Sequence, residues 1–423
     1  MTVQNAKWLL FFAGLFSQTQ VRIIGKIGIS EFCMTVLAPF LFLKYQEMMK
    51  RDKVFGFFVL IILWFLGAVV ADVVNHIPFA VSARGLAVPA TVFGSAVCLY
   101  VLLRRHPENF KWFIVGAACS FFLSIVVFQR GRSGDLESNA AAISAVMGYK
   151  LFWANFFATI VTVPLSLCYL KMPRAISVIL ALLVAGYNLS IGGRSAFACW
   201  VVSAIFLLIG GHDWKSIRRL SKFFVVVLAL IALSGLGMKT VYRKLALSGM
   251  LGEDEAVKYQ RQTAKGSGFV SLLVSGRAAT FVGLYAAKDK PLLGHGTHAL
   301  DTQGYWEDFV VKYGDAQDIA EYRNFLQRSY GLTIIPEHSH IIAYWLWHGV
   351  FGLIFWIYVI VLVAVTMKKR LYVAPALFGY FAVVVPSFFW DVFFSPFGLR
   401  VNEVALFVIC LFVKRAYQQR QFI

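Results

Sequence analysis

Charge is scarce in this sequence. Asp, Glu, Lys and Arg make up 14% of its 423 residues, where soluble domains carry about a quarter. Hydrophobic residues make up 59% and the mean hydropathy is +0.72, so the composition excludes a soluble globular domain and is that of a polytopic membrane protein. Lipid offers the backbone no hydrogen-bond partners, which leaves helices or a closed barrel. The short alternating stretches of a barrel are missing, whereas apolar runs of about 20 residues, the length of a spanning helix, are abundant.

Paired cysteines are missing too. Cys33, Cys98, Cys119, Cys168, Cys199 and Cys410 each lie alone inside an apolar run, which excludes a cysteine-rich zinc site and argues against a disulfide framework. There is no close acidic pair beside a strand and no G-x-x-x-x-G-K-[ST] loop, so metal-dependent and nucleotide-hydrolysing chemistry is disfavoured. No G-x-S-x-G elbow lies in an apolar run, and "GSG" at Gly266–Gly268 falls in a polar stretch, against an intramembrane serine hydrolase. Repeated halves with matching broken helices, frequent in transporters, are not seen, nor is any low-complexity run.

What the sequence does contain is a series of apolar runs near 6–21, 28–46, 54–73, 86–103, 112–128, 151–170, 175–191, 195–211, 223–240, 350–367, 371–390 and 400–414. The first has a weakly basic start like a signal peptide but no small-residue cleavage site, and is expected to be a retained helix. Alternate connections carry "KYQEMMKRDK", "RRHPENFK", "KMPR", "KSIRRLSK" and "KKR", and the tail carries "KRAYQQRQ". Positive residues resist translocation. One orientation keeps every cluster inside: about twelve transmembrane helices, both termini cytoplasmic, in an all-α fold. These basic connections serve topology and attract anionic membrane lipids; they do not point to nucleic acid.

The same orientation sends one long segment outside, and divides the chain into helices 1–9 (1–240), an outer loop subdomain (241–349) and helices 10–12 with the tail (350–423). Between Leu251 and Pro336 nine Lys/Arg stand against ten Asp/Glu, unlike the basic remainder. "WEDFVVKYGDAQDIAEYRNFLQRSYG" has helical periodicity with charged outer faces, so the loop is expected to be a mostly helical subdomain. "PLLGHG" reads as a tight turn. Residues 338–347, too short to span and rich in Tyr and Trp, read as a helix at the outer interface that breaks at His348–Gly349.

Seven basic residues then stand on the outer side or at membrane depth: Arg22, Lys26, Arg84, Arg130, Arg132, Arg194 and Arg277. An arginine at membrane depth costs about 2.5–3.5 kcal/mol, so partners are expected. The acids on that side are Glu31, Asp72, Asp135, Glu137, Asp391 and Glu403; some of the basic residues can pair with these, and the excess implies a cationic cavity opening outward. Arg194 is the sharpest, because the two glycines of "LSIGGRSAFACW" permit a tight bend and close approach, and the helix that follows offers its N-terminal amides to an anion. An arginine capping a helical hairpin is the plainer alternative. Arg277, in "LLVSGRAATF", is either a surface charge or part of the same set. Fixed guanidinium groups suit a diphosphate, held bidentately, with little need of a metal.

"IIPEHSHIIAYWLWHGVFG" adds the histidines. His338 and His340 are two apart, which on a helix puts them on opposite sides and rules out the i, i+4 spacing of a zinc pair. His338, just after Pro336 and Glu337, is the candidate general base, since an imidazole near its ordinary pKa can take a proton from a sugar hydroxyl. A histidine hydrogen-bonded at the membrane surface is the structural alternative, and it is favoured for His340 and His348.

The order of these motifs, "GGR" in a helical hairpin, then "SGR" and "PLLGHG" in a large outer loop, then a histidine eleven residues before "GVFG", resembles the bacterial O-antigen ligase and polymerase superfamily, and the O-antigen ligases most. The resemblance covers the whole layout, with its motifs between about 190 and 355. Members usually carry His-Asn where this chain has His338–Ser339, and often Trp where it has Phe281. The resemblance implies metal-independent, cofactor-free, inverting glycosyl transfer by a monomer at the periplasmic face of the inner membrane. The donor would be O-antigen on undecaprenyl diphosphate and the acceptor lipid A–core. It implies His338 as base and Arg194 and Arg277 as diphosphate ligands. Asp391 fits a further acidic position, with Glu337, His340, Arg132, Arg22 and Lys26 in supporting places. A polymerase or protein O-glycan ligase shares the chemistry with another acceptor; a lipid-linked glycan flippase is the alternative from another class.

Overall fold

Apolar runs bounded by charged or Pro-containing turns fold as helices, because only there can the backbone satisfy itself. The computed structural model describes residues 3–17, 19–22, 26–126, 139–191, 193–210, 244, 247–248, 278–313, 334–371, 374–394 and 401–420. In chain order they form α1 (Val3–Leu15), a hairpin of β1 (Gln20–Arg22) and β2 (Lys26–Gly28), α2 (Ile29–Arg51), α3 (Phe55–Val74), α4 (Phe79–Leu103) and α5 (Phe110–Val126). Then follow α6 (Asn139–Leu167), α7 (Arg174–Ser190), α8 (Arg194–Gly210), α9 (Ala278–Asp289), α10 (Tyr305–Tyr313), α11 (His340–Val365), α12 (Phe378–Phe394) and α13 (Val401–Arg420).

A helix is found at each expected run except 223–240, which lies outside the described residues. Among the described residues four helices are long and apolar enough to cross a membrane: Phe55–Val74, Phe79–Leu103, His340–Lys368 and Pro375–Phe394. Large apolar side chains such as Phe40, Val73, Phe79 and Leu183 face outward, as lipid-facing positions do and water-facing ones rarely do in such numbers. The chain has the mostly helical architecture of a membrane protein.

Two features differ from expectation. The first run does not stay helical to residue 21: α1 stops at Leu15, and β1 pairs antiparallel with β2, Arg22 opposite Lys26. Polar "SQTQ" ends the apolar run, and the freed backbone groups find partners across the hairpin and in the Ile29 N–H to Thr19 carbonyl bond of 2.9 Å. His338 is not helical either. Ser339 is the N-cap of α11, extended at φ −159° and ψ 130°, so His338 precedes the helix and His340 is its first residue.

Helices α2, α4 and α13 run in one direction and are locked together at both ends. At one end Asp52, just past α2, accepts from Tyr100 Oη and Arg104 Nε of the α4 end, both at 2.7 Å, and lies 3.4 Å from Arg415 Nη1 of α13. At the other, Glu31 accepts from Gly28 N–H at 2.9 Å and from Val401 N–H at 3.0 Å. One carboxylate thus serves the N-termini of α2 and α13, where helix dipoles favour negative charge. Between the ends α3, α4, α11 and α13 share a buried core, with Trp64 stacked on Phe355 at 4.5 Å.

Candidate functional site

The site is built around a break in α11. Gly349 has φ 60° and ψ −147°, outside the helical region, and splits the helix into two pieces, where the sequence placed a break. A break inside an apolar segment frees carbonyls and amides that lipid cannot satisfy. Here the segment from Pro291 to Ala299 satisfies them. The amides of His295 and Gly296 donate to the carbonyls of Leu346 and Trp347 at 2.7 and 3.0 Å, and Val350 N–H donates to the Leu292 carbonyl at 2.9 Å. "PLLGHG" is a turn, as expected, with Gly294 at φ 76° and Gly296 at φ 85°. Its purpose is to fill the notch in α11.

The first piece of α11 carries His338 and Ser339 at its start. Ser339 Oγ accepts from Ile342 N–H at 3.3 Å, an N-cap bond, and donates to the Val392 carbonyl of α12 at 2.8 Å. Thr280 Oγ1 of α9 donates to the His338 carbonyl at 3.2 Å. His338 Nδ1 lies 2.6 Å from the Glu337 carbonyl. A carbonyl only accepts, so Nδ1 carries the proton and, in the neutral ring, Nε2 carries the lone pair. The chain at and just after the imidazole is therefore tied, to α9 through the His338 carbonyl and to the last turn of α12 through Ser339. Glu337 itself is half-buried, and burial pushes its carboxyl up to about 8 against a smaller opposing bond from its own backbone amide. Near neutral pH it is largely protonated and adds little negative charge beside His338.

Among the described residues, Asp391 lies near the end of α12 and Arg194 at the start of α8, two helices that meet through Cys199 and Pro386. Asp391, half-buried, immediately precedes Val392, whose carbonyl holds Ser339. The same stretch of α12 meets α8: Cys199 Sγ lies 3.8 Å from the Pro386 carbonyl, and Asp391 acts electrostatically on that thiol. Arg194 opens α8, after a tight turn in which Gly193 N–H donates to the Asn188 carbonyl at 2.7 Å. Arg22 and Lys26 are opposed across the hairpin beside the N-terminus of α2. His340 turns inward: 4% exposed, its ring stacks on Trp356 at 5.0 Å. Arg277 and Arg132 lie outside the described residues. Among the described residues no three His, Cys, Asp or Glu side chains gather as metal ligands would.

Sequence reasoning missed a second set of polar groups behind the notch. Trp64 Nε1–H donates to His348 Nδ1 at 2.9 Å, so His348 Nε2 carries the proton and lies 3.3 Å from Thr297 Oγ1. Thr297 donates from its amide to Asp72 Oδ1 at 2.7 Å and from its hydroxyl to Oδ2 at 3.0 Å, and Ser82 Oγ donates to Oδ2 at 2.6 Å. The chain of donors has one direction and ends on a buried carboxylate that accepts three bonds. It ties α3, α4, the Pro291–Ala299 segment and α11 together. His298 follows, at φ 47°, with its ring 4.5 Å from Trp347. Burial, with the nearby Arg84 charge adding to it and Asp72 opposing, lowers its pKa. The available signal was a lone Asp in an apolar run and the Thr-His pair directly after "PLLGHG".

No protein-family model, no curated protein and no solved structure matches this chain.

Proposed function

We propose that this protein is an O-antigen ligase-type glycosyltransferase that acts at the periplasmic face of the bacterial inner membrane. It moves a glycan from undecaprenyl diphosphate to a hydroxyl of lipid A–core without a metal. The acceptor oxygen attacks the anomeric carbon as the bond from that carbon to the phosphate oxygen breaks. The acceptor proton passes to His338 Nε2, and undecaprenyl diphosphate leaves with the bonding electrons. Arg194 and Arg277 hold the diphosphate as its charge grows, and one direct displacement inverts the anomeric centre. The observation that carries this reading is the His338 imidazole, whose Nδ1–H bond to the Glu337 carbonyl makes Nε2 the basic nitrogen of the neutral ring, on a chain tied to the end of α12 beside Asp391. Thr280, three residues after Arg277, bonds the His338 carbonyl, which supports Arg277 in the same site.

The test is reconstitution of the full chain with labelled undecaprenyl-diphosphate glycan and lipid A–core. Glycan on lipid A–core that disappears in His338→Ala, with the variant's melting temperature unchanged, supports the reading. Chain growth without that product makes the enzyme a polymerase. Transfer that persists in His338→Ala removes the proposed base.

A further inference from the structure

At the end of the bundle opposite His338, the turn between α2 and α3 and the last turns of α13 line an open cavity of about 160 Å³. It is lined by Arg51, Asp52, Lys53, Arg415, Gln418 and Gln419. The only carboxylate in this lining is already engaged. Asp52, 6% exposed at its side chain, accepts from Tyr100 and Arg104 and lies 3.4 Å from Arg415 Nη1. That contact holds the Arg415 guanidinium, itself 26% exposed, with donors left for the cavity. Arg51 and Lys53 are exposed and form no ion pair among the described residues. What remains unsatisfied in the lining is cationic.

The backbone gives an independent indication. Helix α2 ends with Lys53 N–H bonded to the Lys50 carbonyl at 3.0 Å and Val54 N–H to the Met49 carbonyl at 3.1 Å. This paired closure needs a left-handed residue after the C-cap, a place where glycine is cheapest. Lys53 fills it at φ 55°, at a standing conformational cost for a residue with a Cβ. The dipole at this helix end is already met by Lys50 and Arg51 in the last turn, and a charge that only set orientation could stand anywhere in the connection. Here a strained lysine, a carboxylate-held arginine and a second arginine line one cavity.

We propose that this cavity binds a phosphate group, separately from the site at His338. Arg51, Lys53 and Arg415 would bear on its oxygens, with the Gln418 and Gln419 amides as further donors. The phosphate comes either from an anionic lipid headgroup at the membrane edge or from a soluble phosphate ester, and the two sources present the same oxyanion.

The experiment uses the purified full chain, Arg51→Gln/Lys53→Gln and Lys53→Gly. One arm incubates each protein with vesicles of phosphatidylcholine containing phosphatidylglycerol and measures co-purifying anionic lipid by native mass spectrometry. The other titrates inorganic phosphate and glycerol 3-phosphate in detergent and reads the rise in melting temperature. The wild type retains anionic lipid or responds to the soluble anions, and the double variant does so about tenfold more weakly with its ligand-free melting temperature unchanged. Lys53→Gly melts higher than wild type without ligand, because the strain is gone, yet binds more weakly. A response in the vesicle arm alone names a headgroup, and one in the soluble arm names a phosphate ester. Equal responses of wild type and double variant to every probe, or a Lys53→Gly protein that melts lower, overturn the proposal.

Discussion

Replacing Gly349 by Ala tests whether the notch in α11 and the segment that fills it form one unit. The backbone at φ 60° and ψ −147° belongs to a region open essentially to glycine, and forcing another residue there costs about 1–3 kcal/mol. The added Cβ would lie 2.0 Å from the Leu292 carbonyl oxygen and 2.6 Å from the Leu293 carbonyl carbon. These are backbone atoms that no rotamer change can move, so the Pro291–Ala299 segment must retreat. Retreat breaks the bonds from His295, Gly296 and Val350 amides, each worth about 1 kcal/mol net. The sum, about 4–6 kcal/mol, is a large share of an ordinary stability of about 5–15 kcal/mol. Thermal unfolding in detergent, followed by tryptophan fluorescence, should show a fall of about 5–7 °C. Hydrogen exchange should speed up over residues 290–300. A variant that melts within a degree or two of wild type with those amides still protected would refute the reasoning.

Thr297→Val keeps the shape but strips Asp72 of a donor and His348 Nε2–H of its acceptor; it should destabilise by about 2 kcal/mol, whereas Thr297→Ser, which keeps the hydroxyl, should lose much less. Glu337 gives a pH signature: its folded pKa of about 8 lies above the ordinary 4.5, so the folded state binds the proton more tightly and stability falls as pH rises from about 4.5 to about 8. Glu337→Gln stays neutral and should lack that part of the slope; parallel melting curves for the two proteins from acid to pH 9 would contradict it. Asp52 behaves oppositely. Burial raises its carboxyl pKa, but the bonds from Arg104 and Tyr100 and the Arg415 charge outweigh burial and hold it below the usual range. Its contribution is therefore full above the unfolded pKa and lost as pH falls through the folded one. Asp52→Asn should cost about 3 kcal/mol at neutral pH, because two guanidinium groups lose their anion, and should lose less further stability in acid than wild type does.

The fold was legible wherever burial in lipid demands a long apolar run. Described helices lie at the expected runs, the first cut short at Leu15 and 223–240 outside the described residues, because an apolar helix satisfies its own backbone and needs no distant partner. The hairpin at Gln20–Gly28 was not legible, since its two strands of 3 residues are too short for alternation to stand out beside an apolar run. The candidate site was legible in part, and for one reason. Glycine pairs, "PLLGHG" and a histidine beside Pro336 are local signatures of a bend or a cap, and such signatures survive in one dimension.

What the chain alone determined is therefore the membrane class, the helical layout, the break at Gly349 and the identity of His338 as the residue to test. The tertiary structure decided the rest. It showed that His338 precedes α11 with its Nδ1 proton on the Glu337 carbonyl, and that His340 turns into the aromatic core. It also showed that Asp72, Thr297 and His348 form one directed chain beneath the filled notch. These are contacts between residues as far apart as Asp72 and Thr297, or Trp64 and His348. The energy of a buried polar group is set by the partner that folding brings to it, and no local pattern records which partner that is.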